Sequence, residues 1–146
     1  MEIDLTPPNP PVVTGPALSN NTRPTWSWSA GGGGGSGNYR RDLNASGVWT
    51  NTTDITFTPS SDLPDGDHIL AVQERDAVGN WSDSGVHTIT IDTERPTALL
   101  EPTVSVPDPT DMTPIPMRVV FSKPVTGFTD GDILVANASV DAFAAQ

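Results

Sequence analysis

The sequence predicts an all-β protein built around one sandwich of about seven strands, and three observations carry that expectation. Fifteen prolines and thirteen glycines in 146 residues, with abundant Ser, Thr and Asn, disfavour helices and supply turns. Runs of alternating apolar and polar residues recur between turn signals at roughly the 8–12 residue spacing of sandwich strands. A phrase also occurs twice, as Ile3-Asp4-Leu5-Thr6-Pro7-Pro8 and Ile91-Asp92-Thr93-Glu94-Arg95-Pro96, with its aspartates 88 residues apart. That spacing marks one module bounded by two copies of a linker. The expected organisation is a linker at 1–10, a module at 11–92, a second linker at 93–97 and an incomplete second module at 98–146.

The strands follow in order. Val12 to Leu18 carries Gly15-Pro16 and reads as a broken edge strand, because proline cannot donate to a ladder. Thr25-Trp26-Ser27-Trp28-Ser29 alternates with period two, which puts both tryptophans on the core face. Asn38 to Leu43 and Val48 to Asn51 flank an Asn44-Ala45-Ser46-Gly47 turn, and Ile55 to Thr58 ends against Pro59. Leu63-Pro64-Asp65-Gly66 is a strong turn signal. Asp67 to Glu74 is the longest strand, with Leu70 and Val72 facing the core, and Val86 to Ile91 closes the module with Ile89 and Ile91 aligned. Past Thr97, strands are expected at Ala98 to Glu101, Pro116 to Ser122 and Asp132 to Val140, with Val119 and Phe121 on one face. Three strands cannot bury an inner face or cover a sheet edge, so this segment is expected to need completion.

Composition narrows the function. A net charge of −11 repels phosphate backbones, which argues against nucleic acid as a partner. No stretch approaches the roughly 20 apolar residues of a membrane span, so no membrane insertion is expected in this segment. Met1-Glu2-Ile3-Asp4 has neither the basic start nor the apolar core of a signal peptide, and an export signal is expected outside this sequence. The absence of cysteine removes disulfide and thiol chemistry.

Several phrases resemble the bacterial Ig-like repeats of large surface adhesins and biofilm proteins. They are Val13-Thr14-Gly15-Pro16, Arg23-Pro24-Thr25-Trp26-Ser27-Trp28-Ser29, the glycine run, Asp65-Gly66-Asp67-His68, Glu74-Arg75-Asp76-Ala77-Val78-Gly79-Asn80-Trp81-Ser82 and Ile91-Asp92. The likeness covers about residues 3–96. The tail, with Pro114-Ile115-Pro116, Phe121-Ser122-Lys123-Pro124-Val125-Thr126-Gly127-Phe128 and Asp132-Ile133, resembles the opening half of a different bacterial Ig-like repeat. Two departures stand out: Arg95 replaces an alanine usual before the proline, and the second repeat lacks its closing strands. The resemblance implies an immunoglobulin-like β-sandwich. It also implies a non-catalytic spacer in a cell-surface or secreted array, with neighbouring repeats as partners.

The resemblance further implies that the N-terminal linker reaches the loop between the last two strands, bringing Asp4 toward Asp76 and Asn80. Calcium is the expected ion there, since hard cations take six to eight oxygens from carboxylates, amides and carbonyls. Asp92 and Glu94 would serve the next junction, near Phe128 to Asp132. The competing expectation is a solvated turn in which Asp76 caps its own loop. Gly31 to Gly35 lacks the helix and lysine of a phosphate loop and reads as a flexible hairpin tip. Trp49 and Trp81, in or beside loops, are the candidates for contact with a glycan or host-surface protein, whereas Trp26 and Trp28 belong to the core. Tyr39 with Arg40 and Arg41 adds a small polar-aromatic patch. His68 and His87 lack flanking metal ligands, no Gly-x-Ser-x-Gly elbow occurs, and no enzymatic activity is expected. The alternatives are a ligand-binding adhesin domain and an accessory module of a secreted polysaccharide-degrading enzyme.

Overall fold

The computed structural model describes residues 3–107 and 111–144. They divide into two units, Met1–Glu94 and Arg95–Gln146. The outermost residues of the expected 1–10 linker and 98–146 module lie outside the described residues.

Unit 1 is built from eight strands: β1 (Val12–Thr14), β2 (Leu18–Ser19), β3 (Trp26–Ser29), β4 (Gly35–Leu43), β5 (Thr50–Thr52), β6 (Thr56–Phe57), β7 (Gly66–Asp76) and β8 (Gly85–Ile91). They form a three-stranded sheet in the order β1-β3-β6 and a five-stranded sheet in the order β2-β8-β7-β4-β5. The expected break at Gly15-Pro16 is the point where the chain changes sheets. β1 pairs antiparallel with β3, and β2 pairs parallel with β8. Pro16 has no N–H to continue a ladder. A side chain on Gly15 would press on Ile89 Cδ1 at 3.0 Å, so the crossing must pass close to the core.

Period-two alternation fills the space between the sheets. Val13, Trp26 and Trp28 from one sheet meet Tyr39, Leu70, Val72 and Ile89 from the other. Trp26 stacks on Phe57 and donates its indole N–H to the His87 carbonyl at 3.1 Å; Trp28 meets Tyr39 edge-on. Leu70, Val72 and Ile89 are fully buried, each worth roughly 1.5–3 kcal/mol relative to exposure. The same alternation carries β7 beyond its apolar centre, so that His68 at one end and Glu74 and Asp76 at the other are also turned inward. Tyr39 is therefore core, not part of a patch with Arg40 and Arg41. Neighbours on a strand face opposite sides: Arg41 lies over the Phe57 ring at 3.7 Å, and Arg40 points to the outer face.

In unit 2, β9 (Ala98–Pro102) pairs antiparallel with β10 (Met117–Phe121), braced by the Arg118–Glu101 ion pair. Phe121, Phe128 and Phe143 form a chain of edge-on ring contacts. The strand expected at Asp132 to Val140 does not form. The Asp132 carboxylate accepts the Thr129 N–H and hydroxyl, closing a 3-10 turn at Asp130–Asp132, and the residues after it pair with no strand. None of the described residues of this unit is buried.

Candidate functional site

The chemistry-bearing residues of unit 1 collect at its two poles. At the leading pole β7 ends and β4 begins, with Asp76 paired to Gly35. Asp76 Oδ1 accepts the backbone N–H groups of Val78, Gly79 and Asn80 at 2.9, 2.6 and 2.8 Å, and Oδ2 accepts the Asn80 amide at 2.8 Å. Gly79 has φ +111°, a backbone that the loop needs and few other residues adopt. Burial pushes the Asp76 carboxyl up, but the Asn80 amide and the three N–H donors outweigh it and hold it below the usual carboxylate range. Asp76 thus caps its own loop.

The linker reaches the same pole by its main chain. Asn80 Nδ2 donates to the Asp4 carbonyl at 3.2 Å, while the Asp4 carboxylate turns back to accept the Thr6 N–H at 2.9 Å. Asn9 then donates to the Gly32 carbonyl from its backbone at 3.1 Å and to the Gly31 carbonyl from its side chain at 3.2 Å. The glycine run is therefore not a free hairpin tip. A Cβ on Gly31 would strike the Pro10 carbonyl, one on Gly85 the Pro11 carbonyl, and one on Gly35 the Glu74 carboxylate. Glu74 itself is buried, its Oε1 accepting the Gly37 N–H at 3.0 Å. Its Oε2 and the Trp28 indole nitrogen are buried without a hydrogen-bond partner. Burial raises the Tyr39 hydroxyl, and the neighbouring Glu74 charge raises it further.

At the trailing pole Asp42 plays the part Asp76 plays above. Its Oδ1 accepts the Ser46 hydroxyl and N–H, and its Oδ2 accepts the Gly47 N–H. The Ser46 hydroxyl, opposed by burial and aided by both N–H groups, holds Asp42 below the usual range. His68 is buried beside it, with Nε2 against the Pro64 carbonyl at 2.8 Å and Nδ1 against the Asn44 amide at 2.9 Å. A carbonyl only accepts, so Nε2 carries the proton and Nδ1 accepts, which makes His68 a satisfied packing residue. Asp65 reaches onto the outgoing linker, accepting the Thr93 N–H and hydroxyl at 3.1 and 2.9 Å. Asp92 Oδ1 accepts the Glu94 N–H at 3.1 Å, the same two-residue turn that Asp4 makes with Thr6. Both copies of the repeated phrase therefore share this aspartate turn.

The structure thus brings Asp4, Asp76 and Asn80 together and leaves Asp92 at the opposite pole. Among the described residues no group of three or more His, Cys, Asp or Glu is close enough to hold a metal ion. Trp49 and Trp81 lie on the outer face of the five-stranded sheet and are half-buried. The Arg40 guanidinium is 4.8 Å from the Trp49 ring centre and 4.4 Å from that of Trp81, and Arg75 is 5.5 Å from Trp81. Sequence reasoning missed Glu74, Asp42 and Asp65. The first was accessible by extending the alternation Leu70, Val72 two residues further, and the second from Asp42 standing just ahead of a Ser46-Gly47 turn.

No helix among the described residues is long and apolar enough to cross a membrane. No curated protein matches the chain. The bacterial Ig-like domain matches it over residues 17–93, within the two-sheet sandwich of unit 1. Sandwich, strand pairing and family match agree over more than half of the sequence, and the chain belongs to the bacterial Ig-like domain family.

Proposed function

We propose that unit 1 is a non-catalytic spacer of a bacterial cell-surface or secreted adhesin array, holding a binding region away from the cell. The observation that carries this reading is the anchoring of the two linkers at opposite poles. Asn80 and Asn9 tie down the incoming chain, and Asp65 ties down the outgoing chain. The eleven residues of β7 run between those poles, a span of about 35 Å. A module whose chain enters one end and leaves the other adds its length to an array with each copy.

Calcium belongs to this reading at the junctions between repeats. Asp76 already receives four hydrogen bonds, so the Asp4 carboxylate and the Asn80 side-chain oxygen are the better donors at the leading pole, with Asp76 Oδ2 beside them. Oxygens of the preceding repeat would complete the six to eight that calcium takes. Asp92 would serve the equivalent junction at the trailing pole. The test is a chain of two consecutive repeats followed by scattering and thermal melting. The expected result is a rod about two modules long whose melting temperature and length fall with EDTA. A rod unaffected by EDTA removes calcium and keeps the spacer; a compact pair of modules removes the spacer.

A further inference from the structure

The outer face of the five-stranded sheet carries a feature that a spacer does not need. Unit 1 contains four arginines against eleven acidic residues among those described, yet Arg40 and Arg75 stand together on this face. Neither makes an ion pair with a carboxylate among the described residues, and Arg75 is exposed. Arg40 is held in place: its guanidinium lies between the Trp49 and Trp81 rings and its Nε donates to Gln73 Oε1 at 2.7 Å. Beside Arg75 and Trp81 a shallow groove of about 300 Å³ is lined by Asn38, Asn51 and Thr53.

Stacking alone accounts for Arg40, because a cation between two indoles is a stable way to cover a sheet face. It accounts less for Arg75, which lies 5.5 Å from the Trp81 ring alone and whose side-chain N–H groups meet no acceptor among the described residues, and not at all for the amide and hydroxyl groups gathered next to it. A planar guanidinium matches a carboxylate bidentately. An indole offers an apolar face to a sugar ring, and amides and hydroxyls match its hydroxyl groups. The groove is at the small end of ligand sites and lacks the apolar pockets that would anchor peptide side chains. The chain's net negative charge acts at long range, where salt screens it beyond about 8 Å. Direct guanidinium contacts survive that screening.

We propose that this face binds an acidic saccharide, with Arg75 taking the carboxylate, Trp81 flanking the ring and Asn38 and Asn51 taking hydroxyls. The proposal is independent of the spacer reading, and either can fail alone. The test titrates the whole chain with a tetrasaccharide alternating glucuronate and N-acetylglucosamine, read by the four indole N–H signals in NMR. Trp81 and Trp49 should shift while the buried Trp26 and Trp28 do not. Arg75→Gln should weaken binding roughly tenfold or more at an unchanged melting temperature, and Arg75→Lys should restore part of it. The carboxyl-reduced tetrasaccharide should bind at least roughly tenfold more weakly than the acidic one. The absence of a Trp81 shift at about 10 mM ligand overturns the site. Equal binding of the carboxyl-reduced tetrasaccharide overturns the acidic class, and tighter binding of a hexaglutamate peptide overturns the saccharide.

Discussion

The two poles of unit 1 solve the same problem in different ways. Each has a carboxylate folded back onto its own turn, Asp76 at the leading pole and Asp42 at the trailing one. They differ in how the linker is held. At the leading pole the linker is packed: Pro8 and Pro11 are buried, and glycines 31 and 85 leave room for the Pro10 and Pro11 carbonyls. At the trailing pole the linker residues after Asp92 are exposed, Asp65 bonds Thr93 there, and Gly47 and Gly66 have open space around them. Gly31 and Gly85 are required for room, whereas Gly47 and Gly66 are required for their backbone angles, as Gly79 is at the leading pole.

That contrast makes the largest expected effect a steric one. Gly85→Ala should destabilise the chain by about 3 kcal/mol, because its Cβ meets backbone that cannot retreat without moving the linker. Gly47→Ala, with φ +77° and no neighbour within 4 Å, should cost about 1 kcal/mol. Urea denaturation of both variants checks the difference, and equal losses would erase the distinction between the poles.

Acid should affect the poles alike. Asp42 and Asp76 both have folded pKa values below their ordinary 3.8, so their stabilisation is present above that value and is lost as pH falls through the lowered folded values. The melting temperature should be level from pH 7 to about 5 and decline below about 4. In Asp42→Asn/Asp76→Asn the whole curve should sit lower and the acid decline should flatten. Asp76→Asn turns an amide toward the Asn80 amide and leaves two donors facing each other. An unchanged acid decline in the double variant would move its cause elsewhere.

The smallest effect belongs to the trailing linker. Asp65→Ala should cost no more than about 1 kcal/mol, since the bonds it removes are exposed. It should still speed amide exchange at Thr93 while leaving Asn9 and Gly32 unaffected.

The strands of unit 1 were legible because alternation reports one thing, which side of a strand meets the core. Trp26, Trp28, Leu70, Val72, Ile89 and Ile91 could be placed on that basis, and all are buried. The glycine run was misread because its reason is not local. Pro10 and Glu74, distant in sequence, dictate where a Cβ cannot be. The Asp132 strand failed for the opposite reason: a local Thr129–Asp132 contact competes with pairing, and alternation does not report such contacts. At the leading pole, the meeting of Asp4 with Asn80 followed from the fold, but its form did not. The contact uses the Asp4 carbonyl, an atom every residue has, and leaves no mark in the sequence.

The parallel pairing of β2 with β8 has a mechanical consequence. The chain arrives at the leading pole and departs at the trailing one, so a force applied between the two ends of unit 1 would pull β2 and β8 past one another lengthwise. The bonds from Thr90 to Ala17 and from Asp92 to Ser19 are then loaded together, in shear, and cannot be peeled apart one at a time. The sheet change at Gly15-Pro16, which began as a proline's missing N–H, gives the module a clasp whose bonds share the load along the direction in which it is pulled.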